Sequence, residues 1–369
     1  MARMRSPVRC LTSTRDLPTP VARGSRDSVR AEMRALIVLG LAAVLAVRSA
    51  PAAAECTLRG STNEPCLSPW TDEGAALPIA PAPPPPDHRV RAMATVGGLY
   101  LGFSAWTYFA WYRNVPSLGD FEWGHDGFFG RNTYAGGADK LGHAWATMVL
   151  SRATTGVLRW GGWGQTSSAI AGSALGWALF LSVEIKDGFY YRFSPGDALM
   201  NTAGAVMSAL LTTQPRLDAL VDFRVAYSPS DEYIGLWRGE YYGSKKGNSL
   251  NIAEDYSGET YFLALHLGAL PRPRATPRWV ALALDYVDLG LAFETRKYKP
   301  DAPPDAVPTQ TLYLGATINL QRVLDRALGR RAPGVRGVGN AILEVLAPPY
   351  TIAPVVGVRR AASGPAPEQ

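Results

Sequence analysis

Four polar side chains in the otherwise apolar stretch 138–204 are spaced so that they could do chemistry together. Asp139 and His143 are four residues apart, and so are Asp197 and Asn201, so each pair shares one face of a helix. A carboxylate beside an imidazole can act as general acid and base. Carboxylate, imidazole and amide oxygen ligands also suit Mg²⁺ or Mn²⁺.

A second acidic pair lies between these two motifs, because Glu184 and Asp187 end the middle one of three apolar runs. The runs are 141–158, 167–183 and 198–213. If they fold as antiparallel helices joined by short loops, the first begins, the second ends and the third begins at the same end of the bundle. We therefore expect all the polar motifs to meet there.

Two interpretations of these side chains are open. As an enzyme, the protein would act on a lipid-linked or cell-wall precursor, by acid–base chemistry or through a divalent cation that neutralises a phosphate. As a structural or ligand-binding protein, which we favour, it would use them to hold the helices in register. No nucleophile elbow, phosphate loop or dinucleotide fingerprint is evident, and no cofactor is predicted apart from the divalent cation of the enzyme interpretation. The candidate catalytic residues are His143, Glu184 and Asp197, and the candidate binding residues are Asp139, Lys140, Asp187 and Asn201.

Helix capping is the alternative explanation for two of the aspartates. Asp139 can cap the helix that follows it, and Ser194 with Asp197 three residues later is close to a capping box. Glu184 is different, because the C-terminal end of a helix disfavours an anion. A carboxylate at that position needs a counter-charge such as Lys140, Arg192 or protonated His143.

Four apolar stretches predict a helical membrane bundle. Residues 92–112 carry no charge over 21 positions, which suits the roughly 30 Å hydrocarbon core of a bilayer. The runs at 141–158, 167–183 and 198–213 are rich in Ala, Gly, Ser and Leu, which lets helices approach closely in a bilayer. We therefore predict an α+β membrane protein with a four-helix transmembrane bundle over 91–215, followed by an antiparallel β-rich domain.

The β-rich domain is expected over 216–330, because apolar and other residues alternate there as in antiparallel strands. A C-terminal segment with a disordered tail is expected over 331–369. The predicted strands are 223–227, 233–242, 261–267, 280–286 and 312–320, and 321–328 is a predicted short helix.

The N-terminal region has the pattern of an exported protein. Residues 33–54 combine a basic start, an apolar centre and a small-residue exit, so 1–54 are predicted to be a leader with a signal peptide. They contain nine Arg and three acidic residues, which is the whole formal charge of +6, and 28 basic and 28 acidic residues remain. Because a basic footprint has to lie on the folded domain, we expect no nucleic-acid partner.

Residues 55–90 are predicted to form a small disulfide loop and a proline-rich linker. Cys56 and Cys66 are an even pair once the leader is removed, and we expect them to form a disulfide in an oxidising compartment. The run P-I-A-P-A-P-P-P-P favours an extended spacer. Cys56 follows Glu55, so the small-residue context of a lipid-modified cysteine is missing.

Three motifs together resemble a known family. D-K-x-x-H at 139–143, E-x-x-D-G at 184–188 and D-x-x-x-N-x-x-G at 197–204 are similar to the uncharacterised YfiM-like family of bacterial envelope proteins. More distantly, they resemble the VanZ-like membrane proteins associated with glycopeptide (teicoplanin) resistance. The resemblance implies an envelope membrane protein, and it implies no known activity.

Loop charge indicates how the bundle would be oriented. The loops at 113–140 and 184–195 carry five basic residues against one in the opposite loop, which puts them in the cytoplasm and both termini outside. We expect an inner-membrane protein with an exported C-terminal domain, with outer-membrane association as the alternative. The expected partner is membrane lipid, and a lipid-linked or cell-wall precursor is the further candidate.

Overall fold

The computed structural model describes residues 88–125, 127–130, 133–238, 252–298, 307–329 and 332–361. The predicted signal peptide, the Cys56–Cys66 disulfide, the proline-rich linker and the end of the C-terminal tail lie outside these residues.

Helices precede strands along the described chain, and further helices alternate with the strands. The helices are α1 (Arg89–Thr107), α2 (Ala138–Trp160), α3 (Gln165–Tyr190), α4 (Pro195–Thr213), α5 (Pro215–Asp218), α6 (Asp231–Arg238), α7 (Arg278–Asp285), α8 (Leu320–Leu328) and α9 (Pro333–Val345). The strands are β1 (Val221–Tyr227), β2 (Glu259–His266), β3 (Val287–Arg296), β4 (Thr309–Ile318), β5 (Leu346–Ala347) and β6 (Ala353–Ala361).

Helices α2, α3 and α4 pack against one another as a three-helix array, which confirms the three predicted helical runs. The capping box at the start of α4 is also confirmed. Ser194 Oγ accepts a hydrogen bond from the backbone N–H of Asp197 at 3.1 Å, and Pro195 fills the first helical position. Helix α1 packs on α2, where Ala92 and Val96 meet the end of that helix.

A left-handed turn sets the start of α2. Residues 135–137 all have positive φ, and Gly137 reaches 88°. A Cβ on Gly137 would lie 2.6 Å from the carbonyl oxygen of Phe128, so glycine is needed both for its conformation and for this close approach. Gln310 on β4 donates from Nε2 to the carbonyl oxygen of Gly136 at 2.7 Å. The sheet therefore holds the turn that precedes the first candidate site residue.

The six strands form one sheet in the order β5-β1-β2-β3-β4-β6. The sheet is mixed, because β5 runs parallel to β1 while the other neighbours are antiparallel. The register places Phe223 opposite Leu263 and Leu263 opposite Leu291. These apolar side chains lie on one face of the sheet, since directly paired residues point to the same side.

That face packs on the helical array in a shared hydrophobic core. Met148 of α2 and Leu211 of α4 belong to the same buried cluster as Phe223, Val225 and Tyr261 of the sheet. The sheet therefore covers part of the apolar surface of α2 and α4. This layer of helix on sheet is the usual solution for burying one apolar stripe and one apolar sheet face.

The opposite sheet face carries a buried ionic network. Arg224 binds Asp222 at 2.6 Å and Asp288 at 2.9 Å. His266 lies 3.0 Å from Asp222 and 2.7 Å from Asp288, and Asn319 donates to Asp288 at 2.9 Å. Each of these groups has partners within the network, so it is a satisfied structural feature.

The predicted four-helix transmembrane bundle is wrong. In the described part of the chain, α3 alone is long and apolar enough to cross a membrane, and core helices of soluble proteins pass the same test. Helix α2 contains Asp139, Lys140 and Arg152, and its apolar face packs on the sheet. The prediction failed because a helix surface rich in small apolar residues has the same composition whether it faces lipid or a protein layer.

Two predicted strands are helices. The described part of 233–242 belongs to α6, and 280–285 belong to α7, which ends at Asp285, two residues before β3 begins. A short apolar run fits both the helical and the strand period, so the alternation of apolar residues in these two segments does not distinguish a strand from a helix. The strands predicted at 223–227, 261–267 and 312–320 are confirmed as β1, β2 and β4, and the helix at 321–328 is confirmed as α8.

Candidate functional site

The three sequence motifs meet at one end of the helical array. His143 near the start of α2 lies 3.1 Å from Glu184 near the end of α3, measured from Nδ1 to Oε1. The same nitrogen lies 3.1 Å from Oδ1 of Asn201 on α4. The antiparallel connectivity inferred from the sequence is therefore confirmed. We call the following six side chains the polar cluster: Asp139, Lys140, His143, Glu184, Asp197 and Asn201.

Lys140 is the most deeply buried charge of the polar cluster, with no solvent-exposed surface. Its Nζ lies 2.8 Å from Oδ1 of Asp197 and 3.4 Å from Oδ2 of Asp139. Ser194 Oγ, the cap of α4, accepts a further hydrogen bond from Nζ at 3.4 Å. The contact with Asp197 is a buried ion pair between an ammonium and a carboxylate. Lys140 thus ties the first turn of α2 to the first turn of α4.

Asn201 forms the second link, because its amide contacts all three helices. Its Nδ2 donates to Oε1 of Glu184 at 3.3 Å, and its Oδ1 accepts from Thr147 Oγ1 at 2.9 Å. Asn201 and Glu184 are almost completely buried. An amide can satisfy a carboxyl group and a hydroxyl at once since it both donates and accepts.

Asp139 connects the polar cluster to the sheet side of the molecule. Tyr256, in a helical turn just before β2, donates its hydroxyl to Oδ1 of Asp139 at 2.6 Å. His143 Nε2 lies 3.6 Å from the same oxygen. The predicted capping role of Asp139 is wrong, because α2 begins at Ala138 after Gly137 and has no side-chain cap.

Asp187 lies apart from the direct contacts of the polar cluster, although the sequence grouped it with them. Its Oδ1 accepts a hydrogen bond from the hydroxyl of Tyr112 at 2.6 Å. Burial raises the pKa of Asp187 to about 6, even though this hydrogen bond favours the ionised form. The carboxylate ties the segment after α1 to the end of α3.

Burial and neighbouring charges shift the two titrating groups at the centre. Burial alone would lower the pKa of His143, but Asp197 and Glu184 outweigh it and raise the pKa to about 9. Burial raises the pKa of Glu184 to about 8 despite the opposing effect of His143. The neighbouring carboxylates therefore favour the imidazolium form of His143, and burial favours the protonated form of Glu184.

The two aspartates beside Lys140 differ in their ionisation. Burial opposes the charge of Asp139, yet His143 and Lys140 hold its pKa below the usual value. Burial and the charge of Asp139 raise the pKa of Asp197 to about 6. Both are ionised at pH 7, so two carboxylates face one ammonium and one imidazolium, and the polar cluster is close to neutral.

Three of these residues also have the geometry to share a metal ion. One ligand atom from each of Asp139, His143 and Asp197 lies within 4.8 Å of the others. Such a set suits Mg²⁺ or Mn²⁺. Binding would require His143 to lose its proton, and the cation would lie beside the Lys140 ammonium, which opposes it electrostatically.

Several partners of the polar cluster could not be found from sequence. Tyr256 lies far along the chain from Asp139, and no motif links the two. Thr147 has the clearest signal, because it lies four residues after His143 on the same helix face. Ser194 was identified as a cap but not as a partner of Lys140.

The helical region is similar to one known family. Residues 125–213 match the family described as "Predicted periplasmic lipoprotein (DUF2279)". None of the curated proteins and none of the solved structures matches this chain. The match covers the helices that carry the polar cluster and supports an uncharacterised family of envelope proteins with a periplasmic location. It does not confirm the YfiM-like or VanZ-like names, or an inner-membrane position.

Proposed function

We propose that this protein is a structural, lipid-contacting component of the cell envelope, and that its polar cluster holds the helices together without catalysing a reaction. The observation that carries this proposal is the closure of the cluster. Lys140 and His143 face Asp139 and Asp197, and the side chains of the cluster are mutually paired and mostly buried. A general acid or base needs a substrate atom within hydrogen-bond reach.

Exposure at the cluster supports the same proposal. The His143 side chain is 19% exposed, while the carboxylates of Asp139, Glu184 and Asp197 are at most 9% exposed. Breaking an ion pair at such depth leaves an uncompensated charge, which costs about 3–5 kcal/mol. A charge-balanced network of this kind specifies how α2, α3 and α4 dock.

Membrane lipid is the proposed partner, and the outer face of α3 is the proposed contact. This face presents large apolar side chains to solvent, including Ile170 at 62%, Ile185 at 46% and Phe189 at 41% exposure. It carries no charged residue between 165 and 183, a length of about 29 Å at the helical rise. Contiguous exposed apolar surface of this kind marks a membrane or protein contact, and the absence of charge over a bilayer-length stretch favours lipid.

Vesicle flotation tests this contact. The full-length chain should float with vesicles of phosphatidylethanolamine and phosphatidylglycerol, and the double variant Ile170→Glu/Ile185→Glu should stay at the bottom of the gradient. The matched control is Leu282→Glu/Val335→Glu, which places two charges at exposed apolar positions on α7 and α9. Wild-type protein that does not float, or an equal loss in both double variants, would contradict the proposal.

The second candidate function is an enzyme that acts on a lipid-linked or cell-wall precursor with a divalent cation held by the polar cluster. The observation that favours it is the convergence of ligand atoms from Asp139, His143 and Asp197. Elemental analysis of purified wild type and of Asp139→Asn separates the two candidates. The structural proposal expects negligible, equal Mg and Mn in both proteins, while the enzyme requires about one ion per chain that the variant lacks.

A further inference from the structure

A large apolar cavity lies between the helical array and the sheet, beside the polar cluster. Its volume is about 680 Å³, within the range of roughly 300–1,000 Å³ that is usual for small-molecule sites. Helices α2 and α4 form one wall, and strands β1 to β4 with β6 form the other. The lining includes Leu141, Met200, Met207, Phe223, Leu291 and Leu312.

The sheet wall of this cavity extends beyond the helices. Leu263, Leu291 and Leu312 are 44%, 55% and 51% exposed, although they share a sheet face with the buried Phe223. Val358 on the edge strand β6 pairs with Leu312 and is 61% exposed. Apolar side chains in adjacent strands thus form a continuous apolar surface that no described residue covers. Such a surface is costly in water and favours an apolar occupant.

One end of the cavity carries a positive charge. Arg360 on β6 lines the cavity and pairs in register with Gln310 on β4. Within the ranges that the structure describes, the side chain of Arg360 makes neither an ion pair nor a hydrogen bond. The amide nitrogen of Gln310 already donates to the carbonyl oxygens of Phe129, Gly130 and Gly136. The guanidinium is therefore available to an anionic group at the mouth of an apolar site.

We propose that this cavity binds a single acyl chain whose anionic head, a carboxylate or a phosphate, lies against Arg360. The acyl chain contacts the apolar lining, and the positive charge of Arg360 at one end determines which way the lipid is oriented. The inference rests on the proposed lipid-contacting role and names the site and the class of lipid. A free fatty acid and a lysophospholipid share this chemistry, and they are separate arms of the test.

Titration calorimetry of the full-length chain with saturated fatty acids, each below its critical micelle concentration, tests the proposal. Affinity should rise about fourfold for each added methylene until the cavity is full. Arg360→Gln should weaken palmitate binding about two- to fivefold, as expected for an exposed charge pair, and should leave hexadecanol binding unchanged. Arg359→Gln is the matched control, because Arg359 is the neighbouring arginine and donates to Thr309. Lysophosphatidic acid in place of palmitate identifies which head group is preferred.

Ala203→Trp provides the steric test. Ala203 lines the cavity and is itself exposed, so the larger side chain can enter the cavity without disturbing a packed core. The affinity for palmitate should fall at least tenfold, while the circular dichroism spectrum stays unchanged. Leu291→Trp repeats the block from the sheet side if the first variant fails to fold.

Three results would overturn the inference: no saturable binding, equal affinity for palmitate and hexadecanol, or binding unchanged by both tryptophan variants. Protein that floats with vesicles yet binds no monomeric palmitate refutes this site and leaves the proposed function intact. Protein that binds palmitate but does not float refutes the membrane contact alone.

Discussion

Replacement of Lys140 by methionine is the sharpest perturbation of the polar cluster. Methionine keeps most of the side-chain volume and removes the charge that faces Asp139 and Asp197. Because Lys140 is fully buried, the variant leaves two carboxylates without their nearest cation. Breaking a buried ion pair costs about 3–5 kcal/mol, so the free energy of unfolding should fall by about that amount at pH 8.

The loss of stability caused by Lys140→Met should be larger at high pH than at low pH. Lys140 lowers the pKa of both Asp139 and Asp197, so its loss raises both values in the folded state. A carboxyl group whose folded pKa exceeds its unfolded value stabilises the fold only at low pH, and that stabilisation is lost as pH rises through the folded pKa. The destabilisation by Lys140→Met should therefore at least halve between pH 8 and pH 5.

Urea unfolding followed by tryptophan fluorescence measures this cost. Lys186→Met is the matched control, because Lys186 lies at the same end of the array, contacts tyrosine rings and makes no ion pair with any residue that the structure describes. It should cost about 0.5–1 kcal/mol with no pH dependence. Adding Asp197→Asn to Lys140→Met should recover about 2 kcal/mol at pH 8, roughly half the cost of the broken pair, since it removes one of the two carboxylates left without Lys140. A Lys140→Met cost below about 1 kcal/mol at pH 8, or one independent of pH, would refute the reasoning.

Three further substitutions test separate parts of the account by urea unfolding. Glu184→Gln should change stability by less than about 1 kcal/mol at pH 4, where the carboxyl is largely protonated in both the folded and the unfolded chain, and it should stabilise the protein at pH 8, because burial raises the folded pKa to about 8 and the wild-type contribution is lost as pH rises from the unfolded value to that pKa; an equal loss at both pH values contradicts this. Gly204→Ala should cost about 1–3 kcal/mol because its Cβ would lie 2.1 Å from a carbonyl oxygen of the facing helix, whereas Gly97→Ala, with open space around it, should stabilise by up to about 1 kcal/mol. Tyr256→Phe should cost about 1–3 kcal/mol through its lost hydrogen bond to the cluster, and Tyr350→Phe, at a hydroxyl on an exposed side chain, should be close to neutral.

The sequence was sufficient to predict the meeting of His143, Glu184 and Asn201, because hairpin connectivity forces the relevant helix ends together. It was also sufficient for the cap at Ser194, whose hydrogen bond is local. Contacts of this kind depend on spacing along one helix or on the order of neighbouring helices. Both are visible in a single sequence.

Spacing and helix order could not show whether the helices face lipid or protein. They also could not show which residues of the sheet side contact the polar cluster. A run of Ala, Gly and Leu is compatible with lipid and with a sheet, and only the packing of Met148 and Leu211 against Phe223 distinguishes them. The contact of Tyr256 with Asp139 depends on how two layers of the fold dock. No pattern in either segment encodes that docking, because it arises from the packing of the whole core.

The ionisation of His143 tests the central claim, that the polar cluster is a closed and charge-balanced network. Nitrogen-detected NMR of the imidazole, assigned by its loss in His143→Gln, gives the pKa directly. We predict a pKa raised to about 9 by Asp197 and Glu184, so that the ring stays protonated throughout the neutral range. A pKa of 6.5 or lower would show a neutral imidazole free to ligate a metal or accept a proton, and would contradict the account.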